Sequence, residues 1–351
     1  MRMFQVCVCG QPLQCNESPT PRPAGTEVLL KMLAAGVCHS DLHLSDGYFD
    51  LGGGKRMSLQ DRGMILPVTL GHENTGEVVA MGPQAQGVKP GDRVLAHPWI
   101  GCGVCAVCQR GEENLCRAMK SLGVFSNGGY ADYLMVPHPR YLIELGDLSP
   151  ERAAPLACSG VTTYGALKKV GATLKTDPTV IIGAGGLGLM CLAIHRAMGG
   201  HSAIVVDIDP VKREAAKSAG AKTVIDSGRP DAAQQIIAET GGGAWAVIDL
   251  VGSSATARLG IDSLIKGGKY VIVGLYGGDI NLSLPPIPMR AITVQGSYVG
   301  SLPETRELID LVRRTGLPPV PVATRPLSDV NAVLSELRAG KVIGRVVLTP
   351  G

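Results

Sequence analysis

Four cysteines, Cys102, Cys105, Cys108 and Cys116, fall in the stretch CGVCAVCQRGEENLC with the spacing C-x2-C-x2-C-x7-C. Four thiolates complete the tetrahedral shell of a Zn²⁺ ion and leave no position for substrate, so this loop reads as a structural metal site. Close cysteine spacing also serves iron–sulfur clusters and nucleic-acid-binding zinc ribbons. A second set of donors is dispersed: GVCHSDLH supplies Cys38, His39, Ser40 and His43, and LGHENTG supplies His72 and Glu73. One thiolate and one imidazole from separate segments make half of a catalytic zinc site, which takes three protein ligands and keeps its fourth position open. Cys158, in APLACSGVTTYGAL, is a candidate for the third ligand. Cys7, Cys9, Cys15 and Cys191 read as small buried apolar side chains, and His97, His138, His195 and His201 as ordinary surface or core histidines.

A third pattern points to a nucleotide. Gly183, Gly185, Gly186, Leu187 and Gly188 form GAGGLG between the apolar run TVII and the helical run GLGLMCLAIHRAMG. Glycines there permit a tight turn, a close backbone approach to a pyrophosphate and close packing of helix on strand, while the helix N-terminus offers free N–H groups. Asp207, at the end of the next apolar run AIVVD, is placed to accept hydrogen bonds from ribose hydroxyls and to repel a phosphate, which predicts NAD rather than NADP. Asp209 competes for that role, and Lys212 and Arg213 stand close enough to soften the preference.

The elements that must position these residues fall into two textures. Up to about Ala153, short β-like runs (GTEVLLKMLAAGVC, ENTGEVVAMG, GDRVLAHPW, GGYADYLMVP) alternate with Gly and Pro, predicting a mainly antiparallel, barrel-like unit. Beyond it, apolar strands alternate with amphipathic helices: TVII, AIVVDID, KTVID, AWAVIDLVG and KYVIVGL are separated by segments such as VKREAAKSAG and TARLGIDSLIKGG. That alternation predicts an α/β doubly wound parallel sheet. PETRELIDLVRRTG reads as a late helix, and GRVVL as a strand able to rejoin the first unit.

The 351 residues suffice for two domains, and 45% hydrophobic against 18% charged residues is a globular balance. A net charge of +3 is too small to argue for a nucleic-acid or membrane surface, and neither partner is expected. MRMFQVCVCGQPLQ lacks the apolar core of a signal peptide, so ten cysteines predict a reducing, cytoplasmic setting where clustered thiols bind metal.

In this order, GVCHSDLH, LGHE, the four-cysteine loop, PLACSGVTTY, GAGGLG and VVDID resemble the medium-chain, zinc-dependent alcohol dehydrogenase family, and VGLYGGDI resembles its tetrameric bacterial and archaeal members. The resemblance implies a GroES-like β-barrel catalytic domain (1–156), a Rossmann domain (157–297) and a C-terminal segment (298–351) returning to the barrel. It implies two Zn²⁺ per chain, the catalytic one on Cys38, His72 and Cys158 with Glu73 beside it, and NAD as cofactor. Ser40 and His43 take the proton-relay positions, and Arg345 the place of an arginine on the cofactor pyrophosphate. His39 and Asp41 flank the site, and Tyr48, Trp99 and Tyr276 are pocket candidates. The implied reaction is reversible oxidation of primary and secondary alcohols by a homotetramer, with a homodimer second. A polyol, a hydroxy-acyl compound or another carbonyl substrate is the alternative within the family. A zinc-ribbon redox sensor is the reading outside enzymes. The stretch GYFDLGGGKRMSLQDRGMILP, spanning the 48–67 loop, is longer than in shorter members and is expected to serve as pocket wall, lid or subunit contact.

Overall fold

Strand Val28–Gly36 is the spine of the first unit, buried on both faces except at Lys31 and Leu33. Strand Glu73–Met81 pairs with it antiparallel from Val28 opposite Met81 to Gly36 opposite Glu73. This register brings two strand ends together, so Cys38 leaves one just as His72 enters the other. The full sheet runs in the order Leu142–Glu144, Arg93–Ala96, Glu73–Met81, Val28–Gly36, Arg345–Thr349, Val322–Pro326, with Tyr133–Val136 also on Val28–Gly36. A smaller sheet of Gln14–Glu17, Arg2–Val6 and Val68–Thr69 packs against it. The late strand Arg345–Thr349 pairs antiparallel with the spine, Val347 opposite Gly36, and so returns the chain to the first unit. This computed structural model describes residues 1–316 and 320–351.

The second unit is a six-stranded sheet in the order Thr223–Asp226, Ser202–Asp207, Pro178–Ile182, Ala244–Asp249, Leu264–Ile272, Thr293–Gly296, parallel throughout. Val180 and Ile182 enter one buried apolar cluster and Ile181 another. Successive strand residues point to opposite faces, so both faces are covered, as parallel strands require. Helices Gly186–Ala197, Pro210–Ser218, Ala232–Glu239 and Ser254–Asp262 connect the strands.

One segment departs from the sequence expectation. The helix read over TARLGIDSLIKGG ends at Asp262, and LIKGG already belongs to strand Leu264–Ile272. The register of that strand on Ala244–Asp249 shifts between Ala244 and Ala246, and this irregularity absorbs Lys266 to Gly268 where helical spacing would have placed another turn.

Candidate active site

The two cysteine sets become two clusters. Sγ atoms of Cys102, Cys105, Cys108 and Cys116 lie within 4.8 Å of one another, and so do donor atoms of Cys38, His72, Glu73 and Cys158. All ten cysteines are free thiols; of the four expected to be buried hydrophobes only Cys191 is, since Cys15 lies exposed on the edge strand Gln14–Glu17 and Cys7 and Cys9 are half-buried just beyond strand Arg2–Val6. In the loop, Cys105 Sγ is 3.4 Å from Cys108 and 3.8 Å from Cys116, and Cys102 is 3.9 Å from Cys108. A tetrahedral zinc with Zn–S near 2.3 Å requires S···S of about 3.8 Å, so the four sulfurs fit that ion. Backbone N–H groups of Cys102 and Ala118 donate to Cys116 Sγ, as they would to a bound thiolate.

Helix His39–Asp46 begins at Cys38, and Asp41 caps it by accepting the Cys38 N–H at 2.9 Å. The same carboxylate accepts from the Tyr130 hydroxyl at 2.7 Å and stands 3.2 Å from His72 Nδ1. Burial disfavours a charge on His72, but Asp41 and Cys38 together raise its pKa well above the ordinary value. His72 Nε2 is buried with no hydrogen-bond partner, aimed among the thiols. Cys38 is drawn well below the usual thiol range by a hydrogen bond from Cys158 and by His72. A thiolate, a second thiol and an orphaned imidazole nitrogen are a donor set for catalytic zinc.

Glu73 is fully buried, accepts the Ser159 N–H at 3.2 Å, and is paired with Arg345. Burial pushes its carboxyl up to about 7 against the pull of the guanidinium. Arg345 thus meets the metal cluster at its guanidinium end. Its Cδ stands 2.8 Å from where a Cβ on Gly186 would be, so its stem lies against the glycine loop. Its Nε is buried without a partner.

Ser40 and His43, three residues apart on one helix face, line a cavity of about 340 Å³ together with Cys38, Cys158 and the glycine loop. Burial, with help from His39, lowers the His43 pKa. Gly183 to Gly188 join strand Pro178–Ile182 to helix Gly186–Ala197. A Cβ at Gly188 would collide with the Gly183 carbonyl, while Gly185 has open space beside it. That open, N–H-rich helix start suits a pyrophosphate. Asp207 lines the same cavity and accepts from Ala184 N–H at 2.7 Å and Asp209 N–H at 2.9 Å. Asp209 is occupied in capping helix Pro210–Ser218 through the Val211 and Lys212 N–H groups. Arg213 is taken up by the carbonyls of Asp207 and Ile208 and by Asp226, whereas Lys212 lines the cavity.

Of the three aromatics, Tyr276 lines the cavity. Trp99 is buried behind His72, ring centroids 5.5 Å apart, with Nε1 donating to the Ala157 carbonyl. Tyr48 stands apart on a hairpin, beneath the Arg56 guanidinium. That hairpin, Tyr48–Asp50 paired with Arg56–Ser58, is the core of the long loop. Phe49 stacks on His43 at 4.9 Å, and Gly52, with φ +78°, packs so closely on Gly278 and Asp279 that a Cβ would stand 2.6 Å from backbone. The loop therefore touches His43 at one end and the parallel-sheet unit at the other. Sequence reasoning missed Thr162, Leu275, Tyr298 and Val299, which also line the cavity. Tyr130 behind Asp41 was missed as well. No local pattern marks any of them.

A barrel-like unit and a dinucleotide sheet meeting at a thiol–imidazole cluster define a zinc-dependent dehydrogenase. Residues 24–147 match the alcohol dehydrogenase GroES-like domain, and residues 186–314 match the zinc-binding dehydrogenase domain. The chain is 42% identical to an NAD-dependent alcohol dehydrogenase of Sulfurisphaera tokodaii and 40% identical to one of Saccharolobus solfataricus, each over the whole of both chains. The crystal structure of an alcohol dehydrogenase from Aeropyrum pernix superposes with a TM-score of 0.90 at 33% identity, covering all of both chains. The chain belongs to the medium-chain, zinc-dependent alcohol dehydrogenase family.

Proposed function

We propose that this enzyme oxidises primary and secondary alcohols to aldehydes and ketones, and reduces them in reverse, by hydride transfer with NAD. The observation that carries this is one cavity shared by Cys38, Cys158, Ser40, His43 and the glycine loop. Cys38, His72 and Cys158 would hold the catalytic zinc, with Glu73 behind, and the four loop cysteines a structural one. Gly183, Gly185, Gly186, Leu187, Gly188, Asp207, Lys212 and Arg345 would hold NAD. When bound, zinc supplies Lewis acidity toward the substrate oxygen and NAD the hydride acceptor.

The chain's own residues do the rest. Ser40 Oγ accepts the alcohol proton and passes it on. His43, kept neutral at pH 7 by its burial, has a free ring nitrogen to receive it and carry it toward solvent. Asp41 fixes the orientation of His72, so Nε2 faces the thiols. Asp207 favours ribose hydroxyls over a 2′-phosphate by charge.

Residues 1–156 are read as the catalytic domain, 157–297 as the NAD domain and 298–351 as the returning segment. The pairing of Arg345–Thr349 on Val28–Gly36 supports that division. We further propose a cytoplasmic homotetramer, with a homodimer next. Strand Thr293–Gly296 is a sheet edge exposed at all four residues, Leu284 and Met289 shortly before it in the chain are 74% and 75% exposed, and an uncovered edge of this kind favours self-association. Among the described residues no helix is long and apolar enough to cross a membrane.

The test is NADH formation from NAD with a panel of primary, secondary and benzylic alcohols, with and without a zinc chelator. Chelator-sensitive turnover is expected. Turnover that survives removal of all zinc would overturn the reading.

A further inference from the structure

Glu113 and Asn114, adjacent in the four-cysteine loop, are both buried. Glu113 faces the barrel: it accepts from Gly101 N–H at 3.0 Å and the Tyr141 hydroxyl at 2.7 Å, and pairs with Arg140 at 3.1 Å. Asn114 faces the other way. Its Nδ2 donates to the carbonyl of Tyr298 at 3.0 Å, across 184 residues of sequence. Tyr298 lines the same cavity as Cys38 and Cys158.

The turn that Asn114 grips is strained. Val299 has φ of 40°, a left-handed conformation that a β-branched residue rarely adopts. Such a conformation persists only where its surroundings impose it. Ser297 N–H is tied to the Ile272 carbonyl at 2.8 Å, and Gly300 is pressed so closely on Val161 that a side chain would not fit. Between these two anchors the Tyr298 carbonyl is held by Asn114, the residue two before the ligand Cys116. The strained turn also joins the last strand of the parallel sheet to helix Leu302–Thr315, which is fastened to the barrel by Thr305 Oγ1 at 2.9 Å from His97 Nδ1.

We propose that Asn114 is a positioning residue for the substrate cavity. Through its hydrogen bond to Tyr298, the structural cysteine loop sets the place of the wall that faces the substrate. The loop thereby shapes the active site as well as stabilising the fold. This rests on the reading of the cavity as the alcohol site.

The test uses the full-length zinc-loaded enzyme and the variants Asn114→Leu, which keeps the side-chain bulk but removes the donor, and Asn114→Ala. Three quantities are read: KM and kcat for the best alcohol, zinc per chain, and hydrogen exchange of the 297–300 segment. The expected result is a KM raised roughly fivefold, the equivalent of one neutral hydrogen bond, with kcat within about twofold. Both zincs stay bound, and the 297–300 amides exchange faster. Unchanged KM together with unchanged exchange overturns the proposal. So does loss of loop zinc with a parallel fall in kcat, which would make Asn114 a prop of the metal loop alone. Should the parent enzyme turn over no alcohol, faster exchange in the variants still upholds the positioning role, and the failure belongs to the assigned reaction.

Discussion

Asp41 stands 3.2 Å from Nδ1 of His72, with both side chains wholly buried. This pair decides which imidazole nitrogen is offered to a metal. The same carboxylate receives the Cys38 N–H and the Tyr130 hydroxyl, so one side chain orients two prospective ligands at once. Replacing it disturbs the metal site without touching a ligand. Asp41→Asn is expected to weaken zinc at Cys38, His72 and Cys158 by about 10- to 100-fold while the loop zinc stays bound. Zinc counted per chain after dialysis against a graded competitor checks this.

The two clusters differ in what their loss does. Cys38→Ala or His72→Ala should abolish turnover in a folded protein, whereas Cys105→Ser should lower the melting temperature, because it removes one of the four sulfurs that would hold the loop zinc. Thermal melts beside initial rates separate the two. A Cys105→Ser protein with unaltered melting and no turnover would mean the roles are exchanged.

Asp207 accepts the Ala184 N–H and lines the cavity beside the glycine loop. Asp207→Ser should remove the charge that rejects a 2′-phosphate, leaving Lys212 to attract it. The kcat/KM ratio of NADP to NAD is expected to rise by at least about tenfold, the order of 1.4 kcal/mol of discrimination. An unmoved ratio would place the discrimination elsewhere.

His43 stacks on Phe49 of the inserted hairpin, and its pKa is lowered. His43→Gln should slow turnover most where proton release limits it and flatten the pH–rate profile. Retention of the parental profile would remove His43 from the relay.

Two buried histidines make the fold acid-sensitive. Burial lowers His97 to about 3 and His195 to about 4, both below the unfolded value of 6.5. Below pH 6.5 the unfolded chain therefore takes up protons that the folded chain refuses, and stability falls as pH falls. Both residues contribute down to about pH 4, and His97 alone to about pH 3, each with a slope of up to about 1.4 kcal/mol per pH unit. Denaturant midpoints measured from pH 7.5 to 5 should decline, and less steeply in His195→Gln.

The candidate metal residues and the glycine loop are legible in the sequence because each chemistry imposes residue types at short spacing. Cys102 to Cys116 is one such run, and Gly183 to Gly188 another. What was illegible is long-range. Arg345 meets Glu73 across 272 residues, so no window of sequence holds both, and the expectation for Arg345, a place on the cofactor pyrophosphate, included no carboxylate partner. Tyr298 and Val299 look like ordinary loop residues until the cysteine loop is folded against them. The hairpin around Phe49 and Gly52 was visible as an insertion, but where its tip lands depends on how two units pack. That Asp209 caps a helix while Asp207 lines the cavity is visible only in the fold.

The return of strand Arg345–Thr349 to Val28–Gly36 has a consequence for biosynthesis. Glu73 is made early, and the guanidinium that neutralises it emerges only after the whole nucleotide sheet. The parallel sheet is contiguous in the chain and can close while translation continues. The barrel must wait for its last strand, and until then a carboxylate destined for the interior has no counter-charge and favours remaining in water. The order of synthesis therefore leaves the metal-binding half incomplete until the nucleotide-binding half is already made.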